Sequence, residues 1–202
     1  MLTYLGKKIQ RTTSTTMIDL MYFAHYRPQA GFKFALDGIH LAPRADIPYV
    51  GVYGLLPPAT LYTDEGDTSK IQLTSLLNWE GPAKSPQFLD GYITFKDLNF
   101  EKNLCIIIDI RSVNFSKTTP VFSKIGWTIC PIFSPDGYVL SGLYQIPLFK
   151  GEVPLGIIND LKENDPWPFL MDLVKNKRNQ YKLTWLENAS VMIRLLDSQR
   201  EV

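Results

Sequence analysis

Residues Leu104 to Phe149 carry three apolar runs of strand length in close succession, and that stretch limits the folds open to this chain more than any other. In the first run, LCIIIDIR, the residues Leu104, Ile106, Ile108 and Ile110 alternate with Cys105, Ile107, Asp109 and Arg111. A polar loop leads into SKIGWTICPIF, and a Pro-Asp-Gly turn leads on into YVLSGLYQIPLF. A period of two puts alternate side chains on opposite faces, and turn residues between short runs let successive strands pair antiparallel. The stretch therefore predicts consecutive strands of an antiparallel sheet.

The pattern extends upstream. Phe32, Phe34 and Leu36 alternate with Lys33, Ala35 and Asp37, a half-buried strand. IPYVGVYGLL is a second strand with Val50 and Val52 on one face, ended by Pro57-Pro58 because proline cannot donate to a ladder. Short strands are expected within Ile71–Leu77 and over Tyr92–Phe95. Between Phe32 and Phe149 this makes about seven or eight short strands joined by Pro- and Gly-marked loops, the spacing of an all-β sandwich.

The flanks differ in character. Residues 1–30 read as an N-terminal arm, Thr/Ser-rich at first, with Met17–Tyr26 as an apolar strand-like run. Residues 151–202 read as a helical extension with a final strand at Ser190–Leu196. Leu155–Lys162 has room for one or two helical turns, and Asp165-Pro166 has the form of an N-cap followed by a first helical proline. Phe169, Leu170, Leu173 and Val174 then share one side of a helix whose end is cationic.

Composition narrows the function classes. A formal net charge of +1 over 202 residues is too small for a dedicated nucleic-acid binder, which needs concentrated Lys and Arg. The N-terminal sixteen residues hold no apolar core of a secretory signal, and no run approaches the ~18 apolar residues of a membrane span, so a soluble intracellular protein is expected. Cys105 and Cys130 both sit in apolar strand runs and are expected as buried reduced thiols, although neighbouring strands could also bring them together. His25 and His40 are the only histidines, and no nucleophile elbow, zinc-protease, P-loop or dinucleotide motif occurs. No enzymatic activity is expected; a cysteine hydrolase using Cys105 or Cys130 with a histidine is the rival reading.

The order of the strand motifs resembles a C2 domain over residues 31–150. FKFALDGIHLAP resembles the first long strand of that family and its Leu-x-Pro exit. Asp46-Ile47-Pro48-Tyr49-Val50 resembles its Asp-Pro-Tyr-Val entry, with Ile47 inserted, and Gly91–Phe95 stands where the family carries Asn-Glu-x-Phe-x-Phe. Leu104–Asp109 resembles the strand ending in aspartate, and Ile125-Gly126-Trp127 the strand that follows. The resemblance implies a mostly β, C2-like antiparallel β-sandwich, which the residues of the flanks extend with an N-terminal arm and a short helical C-terminal extension. More narrowly, the segments near Gly31, Gly126 and Gly142 are similar to divergent C2-like domains of ciliary and flagellar coiled-coil proteins. That likeness implies a structural or adaptor component of a cilium or axoneme, with coiled-coil proteins or tubulin as partners.

Calcium is the family's best-known ligand, and the matching positions are Asp46 and Asp109. Ca²⁺ takes about six or more oxygens, and where a second aspartate is wanted this chain has Arg111, which repels a cation and can pair with Asp109 on the outer face of the strand. No metal and no cofactor are expected. Lipid binding without calcium is the alternative function, yet residues 48–77 hold Lys70 against Asp64, Glu65 and Asp67, the wrong sign for anionic headgroups. The candidate partner contacts are the basic cluster Lys175, Lys177, Arg178 and Lys182, together with Trp167 and Trp185.

Overall fold

The computed structural model describes residues 24–56, 71–75, 77–78, 80–115, 119–175, 181 and 183–200. Its strands are β1 (Phe32–His40), β2 (Tyr49–Leu56), β3 (Ile71–Leu73), β4 (Ile93–Phe95), β5 (Cys105–Asn114), β6 (Val121–Pro131), β7 (Gly142–Lys150) and β8 (Trp185–Asp197). Helices α1 (Leu155–Glu163) and α2 (Pro166–Lys175) lie between β7 and β8. All strands join one antiparallel sheet in the order β3-β2-β5-β6-β7-β8-β1-β4.

That sheet curls back on itself. β1 and β2 are separated by four strands in the sheet order, yet Phe34 of β1 and Tyr53 of β2 have ring centroids 5.2 Å apart. The Leu36 side chain also fills the space beside the Gly51 backbone, where a Cβ would collide with it. The fold takes place at the junction of β6 and β7, which register at two positions, Gly126 with Lys150 and Trp127 with Phe149. Two four-stranded halves thus face each other in a sandwich-like arrangement, and the inward residues of β1, β2, β5, β6, β7 and β8 form the main core.

Alternation along β5 sorts its residues between two cores. Ile106, Ile108 and Ile110 point into the sandwich, whereas Cys105 and Ile107 point outward into a second cluster. The amphipathic faces of α1 (Ile157, Ile158, Leu161) and α2 (Leu173, Phe169) cover that second cluster together with Trp127, Ile129 and Phe149. A strand buried on both faces reads as a continuous apolar run, which is why CIIID shows so little polar character.

The flanks are tied in more closely than an arm and an extension suggest. Residues 17–23 of the expected strand lie outside the described segments, and Ala24–Tyr26 are not strand. Tyr26 is buried against Phe32 and Phe133, and its N–H donates to the Gly137 carbonyl at 3.0 Å. At the other end β8 runs between β7 and β1, so the sandwich read over 31–150 takes a central strand from residues 185–197. Helix α2 begins at Pro166, where the sequence places its first turn.

Candidate interaction surface

The residues that resemble calcium positions are already engaged. Asp46, in the β1–β2 loop, is exposed and receives both Arg44 Nε at 3.0 Å and a terminal guanidinium nitrogen at 2.5 Å. The Arg44 hydrogen bonds hold its carboxyl below the usual carboxylate range. Asp109 stands in mid-strand opposite Val52 and Trp127, fully buried, with Arg111 Nε at 2.7 Å. Its partner Arg111 is 24% exposed, so the pair forms as expected but lies beneath the surface and not on it. Among the described residues no group of three or more His, Cys, Asp or Glu side chains is placed to hold a metal ion.

The two thiols fall on opposite sides of the same sheet. Cys105 belongs to the helix-covered cluster, and Cys130, whose register partner is Ile106, belongs to the sandwich core. Both are free and buried. Burial pushes the Cys105 thiol up to about 12 and the Cys130 thiol higher still. A nucleophilic cysteine needs a stabilised thiolate, and these apolar surroundings favour the protonated form instead. His25 stacks on the Tyr138 ring at 4.7 Å, and His40 closes β1 opposite Ser190.

These thiols make a measurable prediction. Iodoacetamide is expected to leave both unmodified in the native chain and to label both in urea. Stability should also fall on the alkaline side. In the unfolded chain a thiol ionises near 9.0, while native Cys105 holds its proton to about 12. From pH 9 upward the unfolded state therefore binds fewer protons, and unfolding gains about 1.4 kcal/mol per pH unit for each such group. Tyr26 and Tyr53, both raised by burial from 10.0 to about 12, act in the same direction. Urea midpoints at about pH 8 and about pH 11 check this; equal midpoints refute it.

Of the predicted partner contacts, Lys175 is exposed at the end of α2, while Lys177, Arg178 and Lys182 lie outside the described residues. Trp167 stands in the first turn of α2; its side chain also lies outside them. Trp185 opens β8 and stacks on Phe149 at 4.2 Å and 22°. It is partly exposed, and it marks the edge of a groove that sequence reasoning missed.

An irregularity in β8 creates this groove. Pro147 registers with Ser190 and Phe149 with Trp185, so the single residue Leu148 faces four residues, Leu186 to Ala189. Such a bulge needs a residue that tolerates the left-handed region, and Asn188 supplies it at φ 59°. Proline at 147 withholds an N–H from the ladder beside the bulge. The result is a hollow of about 490 Å³ lined by Tyr144, Gln145, Pro147, Trp185, Leu186 and Asn188, among others. The Gln145 amide donates to Ser190 Oγ at 2.8 Å, and Tyr144 Oη donates to the Leu140 carbonyl at 2.7 Å, so the walls are positioned by their own hydrogen bonds. The lining carries aromatic, aliphatic and amide groups and no charged side chain. Asn188, a residue that tolerates the left-handed region, standing within the β8 segment, is the one sequence signal that could have revealed it. No protein-family model and no curated protein sequence matches this chain.

Proposed function

We propose that the chain is a non-catalytic adaptor module, a C2-like sandwich that holds an extended, uncharged segment of another protein in the β7–β8 groove. The observation that carries this reading is the composition of the groove. Tyr144, Trp185, Pro147 and Leu186 provide apolar walls, while Gln145 and Asn188 provide amides able to meet a peptide backbone. An uncharged lining suits a polypeptide better than a phosphate headgroup, which calls for cations. The C2-like assignment draws support from the two facing antiparallel halves and from the places of the FKFALDGIH and Tyr49–Leu56 strands within them. A ciliary or axonemal setting, with coiled-coil proteins or tubulin as partners, rests on the sequence resemblance.

The alternative is calcium-independent phospholipid binding, favoured by the apolar side chains exposed at the β5–β6 turn. Co-sedimentation separates the two. The intact chain is expected to pellet with salt-extracted axonemes or with stabilised microtubules, and Gln145→Arg, which brings a cation into the groove, is expected to abolish this. Pelleting with phosphatidylserine vesicles instead, unaffected by Gln145→Arg, overturns the adaptor reading.

A further inference from the structure

We propose that Thr119 is a phosphorylation site for a proline-directed protein kinase, set directly before the exposed apolar residues Val121 and Phe122 at the start of β6. The β5–β6 ladder runs through ten register pairs, and its last four lie beyond the bulge between Ile110 and Arg111. They also lie beyond Gly126 and Trp127, the two positions where β6 meets β7. β6 therefore outruns β7 at this end, while β2 still flanks β5 as far as Ser112. Phe115 is 64% exposed and Phe122 51%, with Val121 exposed beside them.

Three hydroxyl residues precede proline in the described chain, and their surroundings differ. Ser85 is half-buried in a turn closed by its own N–H to the Pro82 carbonyl, and Pro86 behind it is buried with its carbonyl held by Ile39. Ser134 is half-buried in the Pro-Asp-Gly turn, its Oγ accepting from the Tyr138 N–H at 3.1 Å. Thr119 and Pro120 are both exposed. The chain bends at Thr119, and Pro120 directly after it supplies the proline such a kinase requires while disfavouring a helical conformation at Thr119. Thr119 is thus the hydroxyl of the three that a kinase can reach without unfolding its surroundings.

The reaction transfers the γ-phosphoryl group of ATP to Thr119 Oγ1. The hydroxyl proton passes to the kinase base and ADP leaves. The product carries nearly two negative charges next to Phe115, Val121 and Phe122, where a phosphate opposes apolar association by its desolvation cost.

The test uses the full chain, a proline-directed kinase and ATP, read by intact mass and peptide mapping. One phosphate on Thr119 is expected, and Thr119→Val is expected to lose it while keeping the wild-type urea midpoint. In urea-unfolded chain offered after dilution, Ser85 and Ser134 should become substrates as well. Phosphate on Ser85 or Ser134 of the native chain, or none on the native chain when the unfolded chain accepts it, overturns the proposal.

Discussion

Trp127→Ala is expected to lower the stability of the chain by about 3–5 kcal/mol, the range for truncating a large aromatic side chain in a packed core. Trp127 is fully buried at one of the two positions where β6 meets β7. Its ring lies 4.9 Å from Phe149, which in turn stacks on Trp185, so one aromatic column spans β6, β7 and β8. The same ring belongs to the cluster under α1 and α2. Truncation thus weakens the junction of the two half-sheets and the seat of the helices together. Urea unfolding measures the loss, and amide exchange at Gly126–Trp127 and Phe149–Lys150 should accelerate more than exchange in mid-β8. A loss under about 1 kcal/mol, typical of an ordinary substitution, would show that the junction does not depend on this column.

Arg111→Met is expected to cost about 3 kcal/mol, the lower part of the range for removing one partner of a buried ion pair. Asp109 is 0% exposed and Arg111 24%, so the guanidinium keeps some contact with water while the carboxylate keeps none. Losing the cation leaves a buried anion without its charge partner. Taking out both charges with Asp109→Leu/Arg111→Met should recover most of the loss, because burying the ions consumes much of what their attraction supplies. A double-mutant cycle in urea reads the coupling directly. If Arg111→Met changes stability by less than about 0.5 kcal/mol, the pair behaves as a surface one and its burial carries no energetic weight.

Much of the fold was legible because the apolar period matched the geometry of the final strands. Phe32, Phe34 and Leu36 point into the core as their alternation predicts, and β5, β6 and β7 appear within a few residues of the three apolar runs. Helix α2 starts at Pro166 because a first-turn proline lacks only a donor that would have no helical acceptor. The last strand was legible in composition but not in placement. SVMIRLL predicts a strand, yet nothing local says that it runs between β7 and β1, more than forty residues and about one hundred fifty residues away in the chain.

The candidate surface was less legible. The sequence marks Trp185 as a partner contact, but the bulge that opens the groove beside it depends on how β8 registers against Pro147 and Phe149. Register belongs to a pair of strands and not to either alone. The thiols show the same division. Their apolar runs implied burial, but a side chain's face is decided by pairing, and Ile106 opposite Cys130 sets Cys105 and Cys130 on different sides of the sheet. By itself, then, the sequence determined which residues form strands, where the helices begin, and that Asp109 has a cation two residues away. Tertiary structure alone decided that the sheet curls until β1 meets β2, that Asp109 is sealed from water, and that β8 yields a groove. The physical reason is range: periodicity and capping act within a few residues, whereas burial and register arise from contacts between segments far apart in the chain.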